Sequence, residues 1–400
     1  MLYLSIIFLL LFLSYFYDYQ GHIKYRLEWY LFSLFILVLI GGLRYRLGID
    51  TIAYEAEYES MPTLTNFNTF DFENSRYGRA WILFVAVARS ISDNFVVLQF
   101  MQAFLVNSII FWFFYKYTKH IFIAVTLYFI ITYVNFTFEA MRESCAIGVF
   151  LLGYKHFLSE NWFKFYLFGI VAALFHPSAL IVGLLPLFYM PFFRKFFRLG
   201  FPQVLMLCII FLVAGMVSIY FFDVLRLLEV STIEDYASKY EYSRYAESSS
   251  LNIKGTISFI LKYILNLSVA LYIIKKKKNI PKYLDINKLE YMFCWSLYIA
   301  VAMLFIRLFY RFNNYFYPFS ILILSEGLYD EIRFKGKIIR LSFTCWILLL
   351  SPCIAAYTYS YFTEDGGSGY GNFRRYYPYS SILIPTEDTK RENLYKWYGR

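Results

Sequence analysis

The sequence predicts an all-α polytopic membrane protein that forms a single transmembrane domain over residues 1–400. Of the 400 residues, 60% are hydrophobic and 16% are charged, which is more apolar surface than one soluble core hides. The apolar residues form a dozen stretches separated by short charged turns. Because a helix satisfies its own backbone hydrogen bonds in lipid, these stretches favour a bundle of transmembrane helices.

Twelve candidate spans follow in chain order, each an apolar stretch between charged or turn-forming residues. The first lacks the basic start and small-residue cleavage site of a signal peptide, so we expect it to stay attached. The stretch 80–91 is apolar but too short to cross, and we expect an interfacial helix there. The twelve spans are 2–17, 29–43, 95–115, 121–138, 141–158, 162–175, 178–190, 203–222, 256–274, 289–306, 312–328 and 339–357.

A helix break is predicted at His176 and Pro177. The residue before a proline is pushed out of the helical region, and proline favours a first helical turn. One leg should therefore end at Phe175 or His176, and the next should begin at Pro177. A leg of about fourteen residues rises roughly 21 Å, less than the roughly 30 Å of hydrocarbon. We expect His176 to lie below the outer surface, in a cavity lined by protein or water.

The distribution of Lys and Arg predicts the orientation. Six short turns carry 19 basic and six acidic residues, whereas the opposite face carries 18 basic and 20 acidic residues. Positive residues stay cytoplasmic, so the six turns are expected inside, with the strongest marker at Lys275–Lys278. The outer face then holds the loops 44–94 and 223–255, the tail 358–400 and both termini.

The two faces use different cations. Of the 19 basic residues in the inner turns, 14 are lysine. In the outer segments 44–94, 139–143 and 307–311, every basic residue is arginine. Arginine binds phosphate or carboxylate through paired hydrogen bonds, which indicates an anionic ligand at the outer face. Snorkelling to lipid headgroups is the alternative, and it suits Arg89 and Arg307 best. The eight arginines are Arg44, Arg46, Arg76, Arg79, Arg89, Arg142, Arg307 and Arg311.

The first polar constellation is the stretch GGLRYRLGIDTIAYEAEY at the outer end of the second span. Arg44 and Arg46 offer anion donors, and Asp50 and Tyr54 follow on a predicted short helix. The glycines permit a tight turn or a close approach of the backbone. The plain structural alternative is that Asp50 caps this helix and pairs with one arginine.

The second constellation, FTFEAMRES, places Glu139, Arg142 and Glu143 at the outer mouth of the span 141–158. The spacing i, i+3 puts Glu139 and Arg142 on one helix face, so an intrahelical ion pair is the plain alternative. A buried pair of this kind would be costly without a function.

Two further constellations are FHPSAL, around His176, and RLFYRFNNYFYP, which places Arg311 and Tyr315 one turn apart. A lone histidine is usually structural, but one at a helix break within membrane depth is a functional candidate. The five cysteines lie singly in apolar stretches, so we expect neither disulfides nor a metal site. Catalytic triads, Walker loops, HExxH and DxD pairs are not evident in the sequence.

In this order, the four constellations resemble the EpsG or Wzy type family of polysaccharide repeat-unit polymerases. The resemblance rests on the GLRYxxGxD stretch with Tyr54, the helix around Arg142, the FHPSAL turn, and Arg311 with Tyr315. The chain departs from the family where SRYGRAWILF replaces an acidic-glycine pattern. The resemblance implies a GT-C-like glycosyltransferase of the bacterial cytoplasmic (inner) membrane. Its active site would face outward and join oligosaccharide units carried on undecaprenyl diphosphate.

Such a reaction needs cations more than an acid. The leaving lipid diphosphate already carries at least two negative charges, so charge stabilisation matters more than protonation. The resemblance therefore makes Arg44, Arg46, Arg142 and Arg311 the expected diphosphate ligands. No cofactor is expected, because the donor's energy resides in the lipid diphosphate bond.

The attacking hydroxyl also requires a base within hydrogen-bond reach. His176, Asp50 and Glu139 are the candidates on the expected outer side, and His176 is favoured because imidazole titrates near neutral pH. Tyr54 and Tyr315 are expected to position the substrate.

The expected partners are donor and acceptor glycans linked to undecaprenyl diphosphate, with a chain-length regulator and a flippase of the same pathway, and no nucleic acid. Capsule, O-antigen and matrix exopolysaccharide are alternative fates of the product. Alternative enzymatic functions are a single-sugar glycosyltransferase that uses a polyprenyl-phosphate donor and a surface-glycan acyltransferase. The non-enzymatic alternative is a flippase for lipid-linked oligosaccharides, which would need charged residues at matching depths in both halves.

Overall fold

The computed structural model describes residues 2–193, 285–302, 309–333, 376–389 and 391–392, with single positions at 206, 210, 270 and 271. The elements in these residues are helices. Isolated antiparallel β-bridges join Ser381 to Arg44 and to Ile384. The all-α prediction is confirmed for this part of the chain. Apart from the single positions, several predictions lie outside the described residues. They are the spans 203–222, 256–274 and 339–357, the loop 223–255, the marker Lys275–Lys278, the snorkelling alternative for Arg307, and the part of the tail at 358–375.

Every predicted span within the described ranges corresponds to helix. Shorter turns of π-helix lie at Ser14–Tyr19, Phe129–Tyr133 and Asn135–Glu139, and turns of 3-10 helix lie at Phe67–Thr69 and Pro177–Ala179. The α-helices are α1 (Leu2–Leu13), α2 (Arg26–Gly42), α3 (Ile49–Tyr58), α4 (Arg79–Ile91), α5 (Val96–Tyr117), α6 (Ile121–Tyr128), α7 (Met141–Leu158), α8 (Trp162–Phe175), α9 (Leu180–Phe188), α10 (Ile286–Ala302), α11 (Phe309–Asn314) and α12 (Tyr317–Arg333).

Two helical stretches in the described ranges are long and apolar enough to cross a membrane, namely Leu2–Tyr19 and Val96–Tyr117. Shorter apolar helices lie at Ile121–Tyr133, Trp162–Phe175 and Pro177–Phe188. Large apolar side chains face outward, among them Phe8, Phe104 and Phe163, as a surface in contact with lipid requires. The total of twelve spans stays a prediction.

Helix α5 packs against α2, α4 and α7. Its buried Gln102 donates from Nε2 to the carbonyl oxygen of Phe136 at 3.1 Å and to Oγ of Ser144 at 3.0 Å. A buried amide group is stabilised only when it is hydrogen-bonded. These two bonds therefore fix the π-helical turn before α7 and the first turns of α7 against the core.

One span predicted as a continuous helix is interrupted, which corrects that prediction, whereas the span 121–138 is helical throughout. The helix over this span changes from α to π at Phe129–Tyr133 and Asn135–Glu139, and it ends at Glu139 because the backbone of Ala140 (φ −84°, ψ 47°) is not helical. The span 312–328 is divided at Tyr315 and Phe316, between α11 and α12. Pro318 lies in the first turn of α12, where its missing N–H group costs no helical hydrogen bond.

The break predicted at His176 is confirmed. Helix α8 ends at Phe175, His176 is extended (φ −152°, ψ 129°), and Pro177 opens a 3-10 turn that leads into α9. The extended residue before the proline follows from the steric clash that disfavours helix there. The break turns the histidine side chain into the bundle, where 3% of His176 is exposed.

Gly48 sets the position of α3 against the turn that precedes α7. Its φ is +92°, and a Cβ atom built on it would lie 2.4 Å from the carbonyl oxygen of Phe138. Only glycine fits, because a side chain would be strained by this φ and would collide with backbone. The close approach brings Asp50 and Tyr54 beside the start of α7.

We expect Gly48→Ala to destabilise the fold by about 1–3 kcal/mol, because the φ is unfavourable for alanine and the Cβ meets backbone. The measurement is the midpoint of thermal unfolding in detergent. Gly169→Ala is the matched control, since no atom lies within 4 Å of a Cβ built on Gly169, which is in helix α8. Equal midpoints for the two variants would contradict this account of Gly48.

Candidate active site

Residues from all four sequence constellations meet at one end of the bundle. We call Arg142, Glu143, His176 and Arg311 the arginine cluster. They come from the first turn of α7, the break after α8, and α11. Arg142 and Arg311 both act electrostatically on His176 and on Glu143, so the two guanidinium groups share one neighbourhood. Tyr54 of α3 joins them through a hydrogen bond to Arg142.

His176 holds Arg311. Nη1 of Arg311 lies 3.3 Å from Nε2 of His176, and Nδ1 lies 2.6 Å from Oγ of Ser178. A guanidinium group only donates, so Nε2 accepts and Nδ1 carries the proton of a neutral ring. The backbone N–H of Ser178 also approaches Nδ1 at 3.2 Å. A hydrogen bond from this N–H would require Nδ1 to accept and Nε2 to carry the proton. The Nε2–H group would then point at the donors of Arg311, so we assign the proton to Nδ1.

The chain of hydrogen bonds continues from Ser178 to Tyr315, whose hydroxyl oxygen lies 3.0 Å from Oγ of Ser178. Tyr315 is fully buried at the break between α11 and α12. A buried, hydrogen-bonded ring is fixed in orientation. Tyr315 therefore contacts Ser178, the residue that orients His176. The prediction that Tyr315 positions the substrate would need an exposed ring surface, and the Tyr315 ring is buried.

Arg142 is held by aromatic rings and keeps donors for a ligand. Its Nε donates to the hydroxyl oxygen of Tyr54 at 2.9 Å, and its guanidinium lies over the rings of Tyr54 and Tyr77 at 5.7 and 4.6 Å. One terminal nitrogen makes a long contact with the carbonyl oxygen of Arg76, at 3.5 Å. Among the residues that the structure describes, no carboxylate forms an ion pair with Arg142, which is only partly buried.

The ring under Arg142 stays neutral over a wide pH range. Burial, together with the hydrogen bond from the Tyr77 hydroxyl to Glu57, raises the pKa of Tyr77 to about 12. A neutral ring attracts a cation through its face without neutralising the positive charge. The rings therefore orient the guanidinium of Arg142 and leave its charge for an anion.

Glu143 is the carboxylate inside the arginine cluster. It is 4% exposed, and its Oε1 accepts a hydrogen bond from Nδ2 of Asn314 at 2.9 Å. Its Oε2 makes no hydrogen bond to a described residue, and this oxygen is not fully enclosed by protein. A polar group in the site can therefore reach Oε2.

Glu139 and Asp50 lie beside this cluster. Oε2 of Glu139 accepts from the backbone N–H of Asp50 at 3.2 Å, and Oε1 accepts from the hydroxyl of Tyr376 at 2.9 Å. The break at Ala140 separates Glu139 from α7, so Glu139 and Arg142 do not share a helix face as the i, i+3 spacing predicted. Helix α3 begins at Ile49, which places the exposed Asp50 in its first turn and not at its cap.

Arg44 is fully buried, and the predicted diphosphate contact does not fit this placement. Its guanidinium donates to the carbonyl oxygen of Gly41, contacts Oγ1 of Thr51 at 3.4 Å and Sδ of Met141 at 3.3 Å, and lies over the ring of Phe138. These bonds join α2, α3 and α7. Arg44 therefore stabilises the architecture around the arginine cluster without facing a ligand.

Arg46 already has an internal anion. Its Nε and Nη2 each lie 2.8 Å from one carboxylate oxygen of Glu392, and its Nη1 lies 3.4 Å from Glu55. The paired hydrogen bonds with Glu392 raise the pKa of Arg46 above its usual range. The same C-terminal segment adds backbone bonds from Tyr45 to Ser380 and from Ile382 to Leu43.

Sequence reasoning did not assign roles to Glu143, Ser178 or Asn314. Asn313 and Asn314 stand side by side in an apolar stretch, and both are fully buried in the structure. Adjacent buried amides in a span are a usable signal, because each must find a hydrogen-bond partner. Among the described ranges, no group of three His, Cys, Asp or Glu residues has the arrangement of a metal site.

The sequence profile of the EpsG family matches residues 27–381, which include every residue of the arginine cluster. The chain belongs to the EpsG family. No curated protein and no solved structure matches it. The EpsG family is membrane-associated, and it has a role of the polymerase type in polysaccharide biosynthesis, which is associated with glycosyltransferase activity.

The pair of Arg46 and Glu392 should tie the C-terminal segment to this EpsG-family bundle. We expect Arg46→Glu to weaken the attachment by about 1 kcal/mol, because a partly buried bidentate pair becomes a like-charge contact. Amide hydrogen exchange over residues 376–389 should become several-fold faster. The exchanged pair Arg46→Glu with Glu392→Arg should restore slow exchange, and fast exchange in the double variant would refute the contact.

Proposed function

We propose that this protein polymerises oligosaccharide repeat units linked to undecaprenyl diphosphate at the outer face of the bacterial cytoplasmic membrane. The observation that supports the proposal best is the meeting of Arg142 and Arg311 around His176. Two guanidinium groups from different helices, one of them without a carboxylate partner among the described residues, suit a ligand with two or more negative charges.

In the proposed reaction, a hydroxyl of the acceptor glycan attacks the anomeric carbon of the donor glycan, and the lipid diphosphate leaves. Negative charge grows on the bridging oxygen and spreads over the diphosphate. Fixed positive groups lower the free energy of such a transition state, since they need no reorganisation when the charge develops. Arg142 and Arg311 supply these charges, and we propose no ligand contact for Arg44.

His176 has a different role in this proposal from that of the base predicted from sequence. Its Nε2 lone pair accepts from Arg311, so the imidazole holds the guanidinium in place. Tyr54 has the same relation to Arg142, and Tyr315 acts on His176 through Ser178. Arg46 would join the diphosphate site only after leaving Glu392.

The proposal includes a GT-C-like bundle of about twelve spans in which the arginine cluster opens outward. The Lys-rich turns on the opposite face support this orientation. The broken helices support a buried site, because irregular backbone at membrane depth is tolerated where it is enclosed by protein or lines a cavity.

Purified protein in lipid should convert lipid-linked repeat units into a ladder of longer glycans without a nucleotide sugar and without a divalent cation. The products are measured by gel electrophoresis after mild acid release from the lipid. A strict need for a nucleotide sugar or a metal ion would reject the proposed mechanism, and translocation of the substrate without bond formation would favour a flippase.

Arg142→Lys and Arg311→Lys should each lower turnover by about 10²-fold, since lysine cannot form the paired hydrogen bonds of a guanidinium. The amount of protein inserted into membranes should stay close to wild type. Arg79→Lys is the matched control, because Arg79 is exposed and lies over the ring of Phe72. Wild-type turnover in the two cluster variants would exclude a bidentate role.

A further inference from the structure

We infer that Glu143 is the general base that takes the proton of the acceptor hydroxyl, an inference that rests on the proposed function. The base must lie within hydrogen-bond reach of the attacking hydroxyl and close to the groups that hold the leaving group. Glu143 lies within the electrostatic reach of both Arg311 and Arg142. It is also the carboxylate that shares the first turn of α7 with Arg142.

The two oxygens of Glu143 are in different situations, and this difference suits a base. Oε1 is fixed by the amide of Asn314, which α11 places three residues after Arg311. Oε2 has no hydrogen bond to a described residue and is accessible. One oxygen therefore orients the carboxylate, and the other can accept a hydrogen bond from a sugar hydroxyl.

The other candidate bases are occupied. Both oxygens of Glu139 accept hydrogen bonds, from Asp50 N–H and from the Tyr376 hydroxyl. Nε2 of His176 accepts from Arg311, and Nδ1 faces Ser178. Asp50 is exposed on α3, whereas Glu143 is buried. Among these carboxylates, the combination of burial, one fixed oxygen and one accessible oxygen belongs to Glu143.

The step balances without a further reactant. Oε2 of Glu143 takes the proton of the acceptor hydroxyl while the hydroxyl oxygen forms the new bond to the anomeric carbon. The bond from that carbon to the diphosphate oxygen breaks, and its electron pair stays on the leaving diphosphate between Arg142 and Arg311. Glu143 then gives the proton to water or to the departing diphosphate, which restores the carboxylate for the next cycle.

Asn314 gains a role from this arrangement. Its Nδ2 donates to Glu143, so it is a positioning residue that aims the base without contacting the substrate. It also couples the base to the cation on the same helix, because Arg311 and Asn314 are both in α11. A shift of α11 would therefore move the base and the leaving-group cation together.

The test compares Glu143→Gln with the wild type in the purified full-length protein. Glutamine keeps an oxygen that can accept from Asn314 and removes the basic group. Turnover of lipid-linked repeat units should fall by at least about 10²-fold. Binding of undecaprenyl diphosphate alone, measured by titration, should stay within a few-fold of wild type or become tighter. Glu55→Gln is the control, since Glu55 contacts Arg46 outside the arginine cluster, and it should retain wild-type turnover.

Turnover in Glu143→Gln within about threefold of wild type would overturn the assignment, because loss of a general base costs more than that. A loss of turnover that matches a loss of undecaprenyl diphosphate binding would also overturn it, since Glu143 would then only organise the arginines. If Glu143→Gln is not monodisperse, Glu143→Asp serves instead. The aspartate keeps the negative charge but shortens the side chain by one methylene group. Glu143→Asp should lower turnover at least tenfold and leave undecaprenyl diphosphate binding unchanged. Turnover equal to that of the wild type would overturn the inference.

The rate as a function of pH separates a base from a structural carboxylate. The charged groups around Glu143 are Asp50 of α3, Arg142 of α7 and Arg311 of α11, with His176 beyond them. The acidic limb of the wild-type profile should be absent from the residual activity of Glu143→Gln and present in Asp50→Asn. The reverse pattern would assign the base to Asp50. If the wild type makes no polymer, the proposed function fails; if it does and Glu143→Gln does too, only this inference fails.

Discussion

The hydrogen bond between Arg311 and His176 is the interaction on which the arginine cluster depends. A guanidinium group inside a bundle of apolar helices is costly unless its donors are satisfied and its charge has a purpose. A neutral imidazole satisfies one donor without neutralising the charge. The imidazole is in turn oriented by Ser178, which contacts the buried Tyr315. The hydrogen bond to His176 therefore orients Arg311 without adding a negative charge beside it.

Breaks in the helices make this arrangement sterically possible. Glu139 ends a π-helical turn, Arg142 and Glu143 open α7, His176 lies between α8 and α9, and Tyr315 lies between α11 and α12. At each break, side chains leave the regular helical faces, and the backbone groups that are freed must find other partners. Gln102 supplies one such partner for the carbonyl group of Phe136. The site is therefore built where the regular pattern of the bundle stops.

Much of the helix layout could be predicted from local pattern. The spans 141–158 and 162–175 agree with α7 and α8, and the proline rule located the break at His176, because these features depend on neighbouring residues. The roles of Arg44 and Arg46 could not be predicted in this way. Arg46 meets a carboxylate 346 residues away, and Arg44 is enclosed by three separate elements. The break at Tyr315 was also missed, since periodicity does not reveal a short interruption in an apolar stretch.

The partners in the arginine cluster are far apart along the chain. Tyr54 and Arg142 are separated by 88 residues, His176 and Arg311 by 135, and Glu143 and Asn314 by 171. Closing such long loops has an entropic cost, and each contact can form only after the second of its two residues has been synthesised. During biogenesis the first nine helices can pack while Glu143 still lacks its amide and His176 its guanidinium. The arginine cluster is therefore incomplete until α11 docks, so its assembly is one of the later steps of folding.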